Sequence, residues 1–182
     1  VHLAPKLHVL PQARLALAGA GHRLPLVVVA GEVALGGLGS SLDELAGELP
    51  GYLAGMVHQL PEDRRNLLLM VIGWSDREQR ARGYAYASGE GFEPRELSGN
   101  CWTPSPDPEA PGYDRLRLLA ERAAVGHLVP EFHLELARNV AWSVAAGHQR
   151  PGFGVAGAIV CAKVDQHGAS RRQIGTLDQE GL

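Results

Sequence analysis

The stretch Lys6–Gly21, KLHVLPQARLALAGAG, decides how the rest of the chain is read. Leu7, Val9, Leu15 and Leu17 alternate with smaller or more polar neighbours, the period-two pattern of strands. Pro11-Gln12 sits between the two runs and supplies a turn, because proline presets its backbone angle and has no N–H for a ladder. The pattern predicts a hairpin of Lys6–Leu10 and Arg14–Ala18 that runs out into Gly19-Ala20-Gly21.

Leu24–Ala30 follows as an unbroken apolar run, and periodicity alone fits a buried strand and a helix start equally well. A glycine-rich break, Gly36-Gly37-Leu38-Gly39, then leads to a helix. Ser41 and Glu44 have the spacing of a capping box, and Leu42, Leu45, Leu49, Leu53 and Met56 recur at helical intervals. Pro50-Gly51 inside that pattern predicts a kink or two shorter helices, with Pro61 as the stop.

Asn66–Ile72, NLLLMVI, reads as a central strand covered on both faces. Arg77–Arg82 reads as a charged turn, Gly83–Ser88 as a strand bearing Tyr84 and Tyr86, and Phe92–Leu97 as the next strand of an antiparallel meander. A proline-rich loop, Ser98–Gly112, precedes helices over Tyr113–Ala124 and from Pro130 to about Ala146. Strands Val155–Val164 and Arg171–Leu177 close the chain around a turn at Asp165–Gly168. Strand blocks separated by helix blocks predict an α+β protein of packed layers.

The 182 residues suffice for a single domain, 1–182, with a real core. A 45% apolar content and a mean hydropathy of −0.08 belong to a globular chain. A net charge of −3 gives no electrostatic reason to expect nucleic acid or anionic lipid as a partner. Leu24–Ala30 falls far short of the roughly 20 apolar residues of a membrane-spanning helix. No signal peptide is visible. Cys101 and Cys161 show no ligand or disulfide spacing, which points to a reduced, cytoplasmic compartment.

The hairpin and its Ala20-Gly21 ending resemble a segment of the N-terminal-nucleophile (Ntn) hydrolases, specifically of proteasome β-type and HslV-like subunits. There a lysine is followed by a strand pair and a small-residue end, and the order of elements downstream is similar. The resemblance covers most of the chain as architecture and Lys6–Gly21 as motif. It implies a four-layer αββα sandwich, with antiparallel sheets inside and helices outside.

It also implies hydrolysis of a peptide or other amide bond by an N-terminal Thr, Ser or Cys. Lys6 would tune that nucleophile, and the Gly21 N–H would hold the oxyanion. Relatives assemble into rings or stacks, so a homo-oligomer is expected, and no cofactor. Val1 offers no nucleophile, and family members carry a further strand pair ahead of the lysine. Where they often carry an Arg-Asp-x-x-Ser-Gly element, this chain reads Arg150-Pro151-Gly152-Phe153-Gly154. The chain as it stands is therefore expected to be inactive. A non-catalytic scaffold or assembly subunit of the same fold is the alternative, with Lys6 a solvated strand-end lysine and Gly19 and Gly21 turn glycines.

Other constellations point to other chemistry. The loop Gly36–Ser41 before a helix N-terminus could cradle a phosphate and make a small-ligand or nucleotide-binding domain. It matches no phosphate-binding motif, and Asp43 and Glu44 would repel an anion. His127, Glu131, His133 and Glu135 cluster without a metal-site spacing, so no metal is expected. No G-x-S-x-G elbow selects a serine among those present. Asn100-Cys101-Trp102 reads as a half-buried loop anchor, and the short basic clusters Arg77–Arg82 and Arg171-Arg172 as solvated turns.

Overall fold

The computed structural model describes residues 7–97, 107–123, 130–146 and 157–177. The chain divides into two compact units, Val1–Leu97 with Ala162–Arg171, and Ser98–Cys161 with Arg172–Leu182.

The first unit is built on a five-stranded antiparallel sheet. Its strands are β1 (Leu7–Leu10), β2 (Leu15–Gly21), β3 (Leu67–Ser75), β4 (Arg80–Ala87) and β5 (Arg95–Glu96), which stand in sequence order across the sheet. Pro11–Arg14 makes the first turn, closed by the Arg14 N–H on the Pro11 carbonyl at 3.1 Å. Arg14 takes a left-handed backbone there (φ 51°), and its guanidinium pairs with Asp76 in the turn after β3. The expected hairpin is therefore present. Arg14 belongs to its turn, and the second strand runs on to Gly21.

Register assigns the two faces. Leu15, Leu17, Leu67, Leu69, Val71, Gly73 and Ser75 share one face and are all buried. Two helices cover it, α1 (Arg23–Leu35) and α2 (Leu42–His58), through Leu26, Val29, Val33, Leu42, Leu45, Leu49, Leu53 and Val57. The opposite face carries Leu7, Val9, Ala16, Ala18, Ala20, Leu68, Met70, Ile72, Trp74 and Ala85, with a charged residue, Arg95, only on the edge strand β5 among the described residues. Such two-faced apolar character is the mark of a sheet meant to be covered on both sides.

Leu24–Ala30 is helical. Pro25 is tolerated because first-turn amides have no intrahelical partner. Gly36 caps this helix in the left-handed conformation (φ 77°), its N–H reaching the carbonyls of Glu32 and Val33. The second helix runs unbroken through Pro50 for 17 residues. An interior proline costs about 3 kcal/mol. Five buried side chains on this helix, Leu42, Leu45, Leu49, Leu53 and Val57, offset it at about 1.5–3 kcal/mol each.

The meander differs from expectation at its edge. Arg80–Arg82 lies in β4 rather than in the turn, and the strand expected over Phe92–Leu97 shrinks to Arg95–Glu96. Phe92 is left-handed (φ 63°), and Pro94 lacks an N–H, so pairing begins only after it. Arg82 and Arg80 bind Glu78 and Glu96 across this edge, with Arg82 also stacked 5.2 Å from the Tyr84 ring centre.

In the second unit α3 (Tyr113–Ala123) and α4 (Pro130–Ala145) pack through Leu116, Leu119 and Phe132. The Asn139 amide ties the segment before α3 to α4, accepting from Asp107 N–H at 2.7 Å and donating to its carbonyl at 2.9 Å. A hairpin of β6 (Gly157–Asp165) and β7 (Gly168–Leu177) completes the order, its tip Ala162–Arg171 belonging to the first unit. Among the described residues no helix is long and apolar enough to cross a membrane.

Candidate functional site

Gly21 ends β2 opposite Leu67, with His22 as the N-cap of α1 immediately after it. Its backbone lies in the left-handed region (φ 96°). A Cβ added here would overlap the Asn66 carbonyl oxygen and stand 3.1 Å from its carbon. Only glycine satisfies both constraints.

The ladder also tells where the Gly21 amide points. Leu67 donates its N–H to Ser88 Oγ at 3.1 Å on the β4 side. Trp74 donates to the Arg14 carbonyl at 3.2 Å on the β2 side. Amides alternate sides along an antiparallel ladder. Ala16, Ala18 and Ala20 therefore bond β3, whereas Leu15, Leu17, Gly19 and Gly21 direct their amides toward β1. The described part of β1 pairs only as far as Leu7 with Ala18. The Gly21 N–H is thus directed to the β1 side, beyond the described pairing, next to the start of α1. A backbone N–H without a Cβ in front of it, beside the positive end of a helix, suits a developing negative charge.

Lys6 lies outside the described residues, as do Arg150, Pro151, Gly152, Phe153 and Gly154. Of the expected pair the structure therefore places Gly21 alone, together with Leu7, which follows Lys6. His22 was not singled out by sequence. Its Nδ1 is buried with no hydrogen-bond partner, and so is Nε2 of His8 on β1. A histidine following a strand-end glycine carries no signal that would mark it in advance.

The glycine loop before α2 has a different use. Ser41 caps the helix, its hydroxyl accepting from the Glu44 N–H at 3.3 Å. The Glu44 carboxylate turns back to the Ser40 N–H at 2.9 Å, and Glu48 takes the Gly39 N–H at 2.9 Å. Hydrogen bonds from the Ser40 backbone and side chain hold the Glu44 carboxyl below its ordinary range. These amides are taken by the chain's own carboxylates, so the loop does not present them to a phosphate.

Of the acidic and histidine cluster, only part lies within the described residues. His127 lies outside the described residues, and Glu135 on α4 binds Arg138 at 3.1 Å and Arg115 at 3.8 Å. Among the described residues no group of three His, Cys, Asp or Glu is placed to hold a metal. Cys101 and Trp102 lie outside the described residues, and Cys161 on β6 is a half-buried thiol that burial pushes up. No protein-family model matches the chain, and no curated protein sequence does.

Proposed function

We propose that the chain is an Ntn-hydrolase-like domain, a proteasome-like amide-bond hydrolase whose oxyanion is held by the Gly21 N–H. The observation that carries this reading is the direction of that amide. The amide is directed away from β3, to the β1 side of β2 beyond the described pairing, at a position that packing reserves for glycine. The element order supports it, with a hairpin, two helices on one sheet face, a meander, a helix pair and a closing hairpin. The apolar second face of the sheet supports a further layer, as the four-layer αββα sandwich requires. Within the first unit, a Cβ at Gly168 in the β6–β7 turn would stand 3.6 Å from the Pro11 carbonyl of the β1–β2 turn, so the two hairpin turns lie together.

In this reading Lys6 would lower the barrier to deprotonating an N-terminal hydroxyl or thiol, and the substrate would be a peptide or related amide. A homo-oligomeric ring or stack fits the exposed apolar side chains of α1, Leu24, Val27 and Leu35. The second reading is the scaffold subunit of the same fold, favoured by Pro151 and Gly154 standing where supporting polar groups are wanted.

A peptide epoxyketone distinguishes the two. The product of the whole reading frame, with any residues encoded ahead of Val1, is incubated with the probe and its intact mass measured. The hydrolase reading expects one adduct, located by fragmentation at an N-terminal Thr, Ser or Cys. A folded, unlabelled protein overturns it and leaves the scaffold.

A further inference from the structure

The first unit contains a cleft of about 450 Å³ lined by Ala54, Val57, His58, Arg65, Asn66, Ser88, Gly89 and Phe92. The volume lies in the range of small-molecule sites. It is formed where the C-terminal end of α2, the short 3₁₀ turn Glu62–Arg64 with the residues after it, and the turn after β4 come together. Its chemistry is divided. Ala54, Val57 and Phe92 make an apolar wall, of which Val57 and Phe92 belong to the buried core.

The polar lining carries donors and no acid. Arg65 is anchored by its Nε on the Leu60 carbonyl at 3.0 Å and by one terminal nitrogen on the His58 carbonyl at 3.5 Å. A guanidinium has five N–H groups, so this anchoring holds the head in place and leaves others free. Ser88 Oγ accepts from the Leu67 N–H at 3.1 Å, which leaves its own proton to donate. The Asn66 amide and His58 complete the rim, and no carboxylate lines the cleft.

An apolar wall facing a fixed cation and a hydroxyl donor, without an acid among them, complements one kind of ligand. We infer that this cleft binds a small carboxylate with an apolar body, the carboxylate on Arg65 and Ser88 and the body against Ala54, Val57 and Phe92. Arg65 suits a planar carboxylate because its fork matches the two oxygens. The cleft does not include Gly21, and the inference is independent of the hydrolase reading. The one link between the two places is Asn66, which lines the cleft and whose carbonyl abuts Gly21.

The test is a titration of ¹⁵N-labelled protein with 3-phenylpropionate, with N-acetylphenylalanine, and with the neutral 3-phenylpropanamide. The free acid and the acylated amino acid separate a small metabolite from a chain-terminal carboxylate as the source of the ligand. The inference expects millimolar binding of at least one acid, with shifts at Val57, Arg65, Asn66, Ser88 and Phe92, and none with the amide. Arg65→Gln should weaken binding about tenfold or more, the value of a charge-assisted hydrogen bond, and Arg65→Lys should weaken it less.

Because Arg65 also ties the end of α2, Ala54→Phe is the second variant. It fills the cleft from the apolar wall and leaves the donors in place, and it should abolish binding with the dispersed spectrum retained. Equal binding of acid and amide, shifts clustered elsewhere, no binding of either acid, or unchanged binding in a folded Ala54→Phe protein would each overturn the inference.

Discussion

Replacing Gly21 by alanine puts the structure's main claim about this residue to a quantitative test. The added methyl would overlap the Asn66 carbonyl oxygen, with the carbonyl carbon at 3.1 Å and Leu67 Cα at 3.3 Å, all backbone atoms that have no rotamer to yield. The left-handed backbone adds about 1–3 kcal/mol of strain for a residue with a side chain. Opening β2 from β3 to admit the methyl adds about 1–3 kcal/mol of overpacking. The expected loss is therefore about 2–6 kcal/mol, a large share of the roughly 5–15 kcal/mol that holds a domain together.

Gly19 is the control, two residues back on the same strand. A Cβ there meets Leu68 O at 3.4 Å and Leu26 Cδ2 at 3.5 Å, ordinary contacts, and no left-handed angle opposes it. Gly19→Ala should shift stability by less than about 1 kcal/mol, with either sign, because alanine also restricts the unfolded chain. Urea unfolding followed by circular dichroism gives both numbers, provided the m-value is unchanged. Equal losses in the two variants, or a Gly21→Ala loss below about 1 kcal/mol, refute the reasoning. The same calculation warns that inactivity of Gly21→Ala would not by itself identify an oxyanion donor. The glycine is demanded by packing before chemistry is considered.

Ser75 is wholly buried and bridges two elements, donating to Asp43 Oδ1 at 2.7 Å and accepting from the Glu78 N–H at 3.1 Å. Ser75→Ala should cost about 2–3 kcal/mol in urea unfolding, and a loss below about 0.5 kcal/mol, inside the scatter of ordinary surface changes, would remove the bridge. Burial pushes the Asp43 carboxyl up, but the Ser75 hydroxyl, the Arg77 and Asp76 amides and the Arg77 charge outweigh it and hold the group below its ordinary value. The Arg82 hydrogen bond does the same for Glu96, against a smaller opposing effect of burial. Groups depressed on folding contribute stability that is complete above the unfolded value near 4 and is lost as pH falls through the folded value. The urea midpoint should therefore fall below about pH 4, and less steeply in an Asp43→Asn, Glu96→Gln double variant; an unchanged acid slope refutes the assignment. Cys161, whose thiol burial pushes up, should react with iodoacetamide more slowly in the folded chain than in guanidinium, as read by peptide mass mapping. Equal rates would place the thiol in water.

Much of this fold is legible in the sequence where one physical period dominates. The β1–β2 hairpin and β3 were readable because alternation and apolar density leave one solution, and α2 because its cap and leucine spacing agree. The first helix was not readable as such. Leu26, Val29 and Val33 are buried while Leu24, Val27 and Leu35 stand exposed, so apolar residues lie all round it and the helical period disappears. The survival of α2 through Pro50 depends on burial of its own Leu42, Leu45, Leu49, Leu53 and Val57 against the sheet, which no local rule counts. At the site, the glycine was visible but its cause was not, since Asn66 reaches Gly21 only through strand pairing. The donors of the cleft, His58, Arg65, Asn66 and Ser88, come from three separate segments with no motif among them.

The second face of the sheet carries the remaining argument about architecture. The β3 side chains Leu68, Met70, Ile72 and Trp74 form a ridge on this face. Strips of small residues flank it, Ala16, Ala18 and Ala20 on β2 and Gly83, Ala85 and Ala87 on β4. An antiparallel sheet with one face in water carries polar residues on that face, and apart from Arg95 on the edge strand β5 the described part of this one does not. Ala16 and Ala85 are already 3% exposed, whereas Ile72 is 45% exposed. A covered strip of alanines has no room for longer side chains, so Ala85→Leu should destabilise by about 1–3 kcal/mol through overpacking. Were the strip open to solvent, the same change would leave stability within about 0.5 kcal/mol. Urea unfolding separates the two outcomes, and a neutral Ala85→Leu would show that the alanine strip is not tightly covered.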